Sequence, residues 1–107
     1  MAYYLFQGAY TSEALAKLIK KPENRIATVS KAIEKLGGRV ICGWFSFGEY
    51  DILLVSELPD NVSAAAFAVA AAAGGALKAN KTTPLLNADE MIQMLNQAGK
   101  TGYRPPK

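Results

Sequence analysis

Two runs in the middle of the chain, Arg39 to Phe47 (RVICGWFSF) and Tyr50 to Leu58 (YDILLVSEL), are rich in β-branched and aromatic residues and are apolar in both alternation registers. On the first run one register holds Val40, Cys42, Trp44 and Ser46, and the other holds Ile41, Gly43, Phe45 and Phe47 after Arg39. On the second, Tyr50, Ile52, Leu54 and Ser56 alternate with Asp51, Leu53 and Val55 before Glu57. A strand with one wet face alternates apolar with polar, so a strand apolar on both faces is normally buried on both. Gly48-Glu49 between the runs reads as a two-residue hairpin loop. The chain is therefore constrained to build an antiparallel sheet with two faces to hide.

The remaining elements decide what can hide them. Residues 2–10 (AYYLFQGAY) read as a strand, closed by the helix N-cap pair Thr11-Ser12. Leu15, Leu18 and Ile19 form an apolar patch before Pro22, which suits the first turn of a second helix, with Glu23 placed for the helix dipole. Ile26, Val29, Ile33 and Leu36 recur at steps of three and four, and Gly37-Gly38 stops that helix. Pro59-Asp60 ends the third strand and caps an alanine-rich helix over residues 61–73, itself closed by Gly74-Gly75. Residues 76–86 alternate loosely and, with Pro84, read as an edge strand. Asn87 to Glu90 is a capping box opening a last helix, with Met91, Ile92, Leu95 and Ala98 expected inward and Gly99 as its stop.

The order is β-α-β-β-α-β with an appended helix. That is an α+β, ferredoxin-like plait in which helices cover one face of the antiparallel sheet. One apolar face is left over, and such a patch normally marks an interface or a binding groove. The expected solution is burial against a second copy, giving a homodimer or higher homo-oligomer of the dimeric α/β-barrel kind. The alternative is that the C-terminal helix folds over this face within one chain. Residues 1–99 are expected to form a single domain and 100–107 a flexible basic tail.

Charge, once located, argues against a nucleic-acid partner. The chain carries 12 basic and 9 acidic residues, a formal net charge of +3. The excess lies in Lys100, Arg104 and Lys107, so the body is neutral, whereas nucleic-acid binders usually carry a basic stripe on the fold. In the first helical region Lys17, Lys20, Lys21, Arg25, Lys31 and Lys35 outnumber Glu13, Glu23 and Glu34, which reads as an ordinary solvated face. The single cysteine, Cys42, has no partner for an internal disulfide and reads as a small buried hydrophobe in a reducing cytoplasm. No signal peptide is evident, and Ala64 to Ala73 is about half the roughly 20 apolar residues that span a bilayer, so no membrane partner is expected.

At Gly37-Gly38-Arg39 and Gly48-Glu49-Tyr50-Asp51 the sequence resembles the GYD-domain family, whose name refers to a Gly-Tyr-Asp motif opening the third strand. Here Glu49 stands between the glycine and Tyr50. The resemblance covers roughly residues 2–90: the aromatic first strand, the proline-interrupted helical region ending in LGGR, the hairpin and the alanine-rich helix. It implies a small ferredoxin-like protein of bacterial or archaeal type and no established biochemical activity.

The chemistry open to the chain is narrow. It has no histidine, which removes the commonest general base, the histidine-dependent nucleophile systems and most zinc sites, and no phosphate-cradling glycine motif occurs. No cofactor and no metal are expected. Arg39, Trp44, Tyr50 and Asp51 remain as ligand-binding candidates. Trp44 and Tyr50 either line a pocket for a flat ligand or belong to the core. Asp51 either acts in a site or serves structure, binding backbone N–H groups or pairing with Arg39 should the two fall opposite. Three functions are compatible, in decreasing order: a non-catalytic small-molecule-binding or regulatory module, a cofactor-free oxygenase or isomerase of the dimeric α/β-barrel kind, and RNA binding. The last needs exposed aromatics on the first and third strands, and the third offers only Tyr50.

Overall fold

A computed structural model describes residues 1–107. Its elements are β1 (Ala2–Tyr10), α1 (Ser12–Lys20), α2 (Arg25–Lys35), β2 (Arg39–Phe45), β3 (Ile52–Leu58), α3 (Asn61–Ala73), β4 (Leu77–Leu85) and α4 (Ala88–Ala98). The four strands form one antiparallel sheet in the order β2-β3-β1-β4. This is the ferredoxin-like α+β plait that the element order predicts.

The helices start where short polar side chains can serve free backbone N–H groups. Thr11 accepts from Ala14 N, Asn24 from Ala27 N, Asp60 from Ser63 N, and Asn87 with Glu90 closes the expected capping box. Pro22 lies in the connection before α2 rather than in its first turn, because Asn24 supplies the cap. Gly37 ends the α2 region at φ +85°, the left-handed conformation that glycine adopts at least cost. At Gly38 a Cβ would collide with the Glu57 carbonyl oxygen, so helix and third strand meet there through a bare backbone.

β3 alternates strictly: Ile52, Leu54, Ser56 and Leu58 are buried under the helices, and the residues between them are half-buried on the other face. Tyr4 and Phe6 of β1, Ile33 of α2, and Ala64 and Phe67 of α3 complete the core, with the Phe6 and Phe67 rings packed edge to face at 5.0 Å. Only 12 of 107 residues are buried, and large apolar side chains including Ile41, Trp44, Phe45, Phe47 and those of α4 stand exposed.

β2 departs from simple alternation. A bulge between Val40 and Cys42 puts Val40, Gly43 and Phe45 in register with the buried residues Ser56, Leu54 and Ile52, and carries Cys42 and Trp44 to the opposite face. The first-run registers read from the sequence are therefore broken at Ile41, and Cys42 is exposed rather than a buried hydrophobe. The hairpin is also longer than two residues. Its strands end at Phe45 and begin again at Ile52, with Ser46 N donating to Asp51 O at 2.8 Å across a six-residue connection that leaves Phe47 98% exposed.

The face away from α2 and α3 consists of three rows across the four strands: Trp44–Leu53–Gln7–Lys81, Cys42–Val55–Leu5–Thr83 and Arg39–Glu57–Tyr3–Leu85. Its middle row carries no charge, and its charged residues, Lys81, Arg39 and Glu57, sit in the two outer rows. The C-terminal helix does not cover it. All of α4 except Glu90 is exposed, including Met91, Ile92, Met94 and Leu95, so the residues read as inward-facing have no cover in this chain. Projection of this helix gives a radius of gyration of 17.0 Å, against about 13 Å for a compact domain of this length.

Two substitutions on adjacent inward positions of β3 should move stability in opposite directions in urea unfolding. Leu54, 0% exposed, is expected to cost about 2–5 kcal/mol as Leu54→Ala. Ser56 is buried with a hydroxyl that has no hydrogen-bond partner, and Ser56→Ala should raise stability by about 1 kcal/mol.

Candidate functional site

The four residues singled out in the sequence do not converge. Arg39 opens β2 at one end of the sheet, where its Nε donates to Glu57 Oε1 at 3.0 Å. Trp44 lies five residues further along the same strand, roughly 17 Å away at the usual rise, 66% exposed on the sheet edge. Tyr50 and Asp51 sit in the β2–β3 connection. There Tyr50 O accepts from the Ser46 hydroxyl at 2.8 Å.

Asp51 takes a structural place. Its Oδ2 accepts from Tyr10 N at 2.8 Å and its own N–H donates to Gly8 O at 2.8 Å, extending the β1–β3 ladder beyond the last strand pair. Its partner is the backbone, and Arg39 is paired instead with Glu57 because these two residues stand opposite in register.

A cleft lies elsewhere, on the helix side. α2 rests on β2 and β3, while α3 rests mainly on β4 with lesser contact to β1 and β3. The gap between them opens onto the sheet as a cavity of about 290 Å3. Phe6, Ile52, Leu54 and Phe67 form its floor, Val29 and Ala32 one wall, and Ala70, Ala71 and Gly74 the other. The alanine wall explains why the cleft exists. Side chains of one carbon on α3 do not reach across to α2, so the core aromatics stay accessible from outside.

Two polar groups stand at the Tyr10 end. Arg25 is the first residue of α2 and shares a helix face with Val29 and Ala32, four and seven positions on. Its Nη1 donates to Glu23 Oε1 at 2.9 Å. Tyr10 is 7% exposed, and burial pushes its phenol above the usual tyrosine value, an effect that the neighbouring Arg25 guanidinium partly offsets. The sequence reading passed over both residues: Arg25 as one charge on a solvated face, Tyr10 as one aromatic in a strand. The available signal was the 25–29–32 spacing together with a helix whose exposed apolar residues are nearly all alanine.

The fold and the cleft define the class: a ferredoxin-like plait with an opening between its two covering helices. The sequence matches the GYD domain over residues 4–95, and the chain belongs to that family. Among solved structures it is similar to MtbAldR, with 20% identity and a TM-score of 0.58, covering 80% of this chain and 53% of that one. It is also similar to FFRP-DM1, with 15% identity and a TM-score of 0.49, covering 80% of this chain and all of that one. The chain thus spans about half the length of MtbAldR, and at this identity the likeness concerns the fold alone. No curated protein matches the sequence. No helix is long and apolar enough to cross a membrane.

Two outcomes test these placements. Asp51→Ala leaves the Tyr10 N–H without its acceptor and should cost about 1–3 kcal/mol in urea unfolding, whereas Asp51→Asn keeps an acceptor and should cost less. At Glu57, the hydrogen bond from Arg39 and then that from the Tyr3 hydroxyl hold the carboxyl below its ordinary 4.5. Its contribution is therefore complete above about pH 4.5 and lost as pH falls through the lower folded value. Glu57→Gln should flatten the acid limb of stability against pH, measured as urea midpoints from neutrality downward.

Proposed function

We propose that this chain is a non-catalytic, small-molecule-binding regulatory module that works as a homo-oligomer, with its ligand held in the cleft between the helices and the sheet. The observation that carries this reading is the cleft itself. About 290 Å3 of space over an aromatic and aliphatic floor, with Arg25 as the one charged side chain and Thr28 and Tyr10 as the other polar ones, is the usual form of a small-ligand site, at the small end of the range.

Its ionisable groups favour holding over reacting. A guanidinium has donors and no acceptor, and burial keeps the Tyr10 phenol protonated. Neither accepts a proton near neutrality, so the cleft has no general base among its lining residues. This argues for the binding module over a cofactor-free oxygenase or isomerase.

Oligomerisation is supported by two surfaces that one chain cannot bring together. The apolar middle of the open sheet face and the apolar stripe of α4 are both uncovered, and α4 leaves the outer edge strand directed away from the body. A second copy placed isologously supplies the missing cover for both, since the same patch then serves each chain. At about 25 cal/mol per Å2 of apolar area, such burial favours association of a chain whose own core is small.

Native mass spectrometry tests both halves. A dimer or larger homo-oligomer is expected for the intact chain, reduced to monomer by Val55→Glu at the centre of the open face. Any co-purified small molecule should survive Val55→Glu and disappear with Ala70→Leu, which obstructs the cleft from the exposed side of α3. A wild-type chain that stays monomeric at micromolar concentration would remove the oligomer from this proposal.

A further inference from the structure

The cleft shares Tyr10, Arg25 and Ala76 with a second depression of about 280 Å3, whose lining adds the apolar Ala14 and Leu18 and a set of charged side chains that the cleft lacks. Lys17 and Lys21 reach it from α1 and its C-cap, and Arg25 and Glu23 from the start of α2. Lys17 and Lys21 are four residues apart and share one helix face, so both cations border the same space. Three cations and one carboxylate leave this vestibule with an excess of two positive charges. The Arg25–Glu23 bond engages Nη1 alone, and a guanidinium carries five N–H donors. The positive end of the α2 dipole points the same way.

We infer that the site takes an amphipathic organic anion: a compact apolar body in the cleft over Phe6 and Phe67, and a carboxylate in the vestibule among Arg25, Lys17 and Lys21. The inference rests on the cleft being a ligand site, as proposed above, and adds the ligand's chemical class. Each half of the site selects for one half of the molecule. The apolar floor offers nothing to the hydroxyls of a sugar or the edges of a base, and buried polar groups left unpaired there would cost affinity. The vestibule rejects a cation by like charge and favours a carboxylate, whose two oxygens fit the guanidinium fork. Size sets a further limit. At the roughly 30 Å3 per non-hydrogen atom of loose liquid packing, the cleft holds a body of about ten atoms. That suits a medium-chain fatty acid or a single-ring aromatic acid and is too small for a dinucleotide.

The charged residues concerned are the ones a sequence reading assigns to a solvated helical face. What changes their meaning is the turn at Pro22, which folds the C-cap of α1 back beside the N-terminus of α2 and so gathers Lys17, Lys21 and Arg25 at the open end of an apolar cleft.

Octanoate and octan-1-ol, equal in chain length and different in charge, form the test, titrated into the intact chain and followed by amide chemical shifts. Octanoate is expected to shift residues 25–32 and 67–77 and to bind more tightly than the alcohol. Arg25→Gln should weaken octanoate roughly tenfold or more while leaving octanol within about twofold, as loss of a charge-assisted hydrogen bond predicts. Raised salt should weaken octanoate alone. Ala70→Leu should weaken both. Equal binding of the two ligands, unaffected by Arg25→Gln, would overturn the anion assignment and leave a neutral ligand cleft in place. Absence of shifts at those residues with either ligand, or shifts confined to the open sheet face and α4, would overturn the cleft as a ligand site as well.

Discussion

The rest of the molecule depends on the antiparallel pairing of β1 with β3, seven residues in continuous register from Ala2 opposite Leu58 to Gly8 opposite Ile52. Because side chains alternate across a strand, this one pairing sorts both strands at once. Tyr4, Phe6, Leu54 and Ile52 go to the helices, and Tyr3, Leu5, Leu53 and Val55 go to the other side. A slip of one residue would exchange the two sets, removing the floor of the cleft and the apolar middle of the open face together. Asp51 extends the pairing by one further residue at its end, which gives this carboxylate a structural role where its position after a glycine turn had allowed a chemical one.

What lies over that pair depends on how little α3 brings to it. Ala64 and Phe67 are its buried residues, and Phe67 alone reaches deep enough to pack edge to face against Phe6. Alanine gives the helix its stability through backbone propensity, without bulk. Intrinsic helicity and an open cleft are thus two consequences of the same composition: larger side chains at Ala70 and Ala71 would fill the space between the helices and improve core packing.

Much of this was legible in the sequence where a pattern is local. The caps at Thr11, Asp60 and Asn87, the stripe from Ile26 to Leu36, the positive-φ Gly37 and the element order each depend on a few neighbouring residues, and each stands as read. Features that need two distant segments were less accessible. The bulge at Ile41 is set by pairing with β3, so alternation along β2 alone placed Cys42 in the core, whereas it is exposed. The partner of Arg39 is fixed by register, which put Glu57 opposite it and Asp51 at the far end of the strand. The cleft draws on β1, α2, β3, α3 and β4, and no spacing within any one of them reveals a space between two helices. The GYD motif residues therefore identified the family without lining the cleft: Tyr50 and Asp51 hold the β2–β3 connection, where the Asp51 carboxylate ties down the Tyr10 backbone N–H at the end of the helix gap.

The two last-named helices in the chain show what amphipathicity does and does not establish. α3 has almost no polar face, yet it lies on the sheet with much of its surface in water: five of its exposed residues are alanines, and Val62 and Val69 stand exposed with them. α4 has a well-formed apolar stripe of Met91, Ile92, Met94 and Leu95 and the best-formed cap in the chain, yet every one of those four residues is exposed. A periodic stripe fixes which face of a helix can be covered; it carries no information about what covers it. Here the sheet of the same chain has such a surface on the face its helices leave bare, but α4 follows the outer edge strand β4 after Leu86 and Asn87 and lies exposed instead of crossing that face. Local sequence fixes the helix and its stripe, while the direction in which α4 leaves β4 keeps that stripe and the bare sheet face apart within one chain.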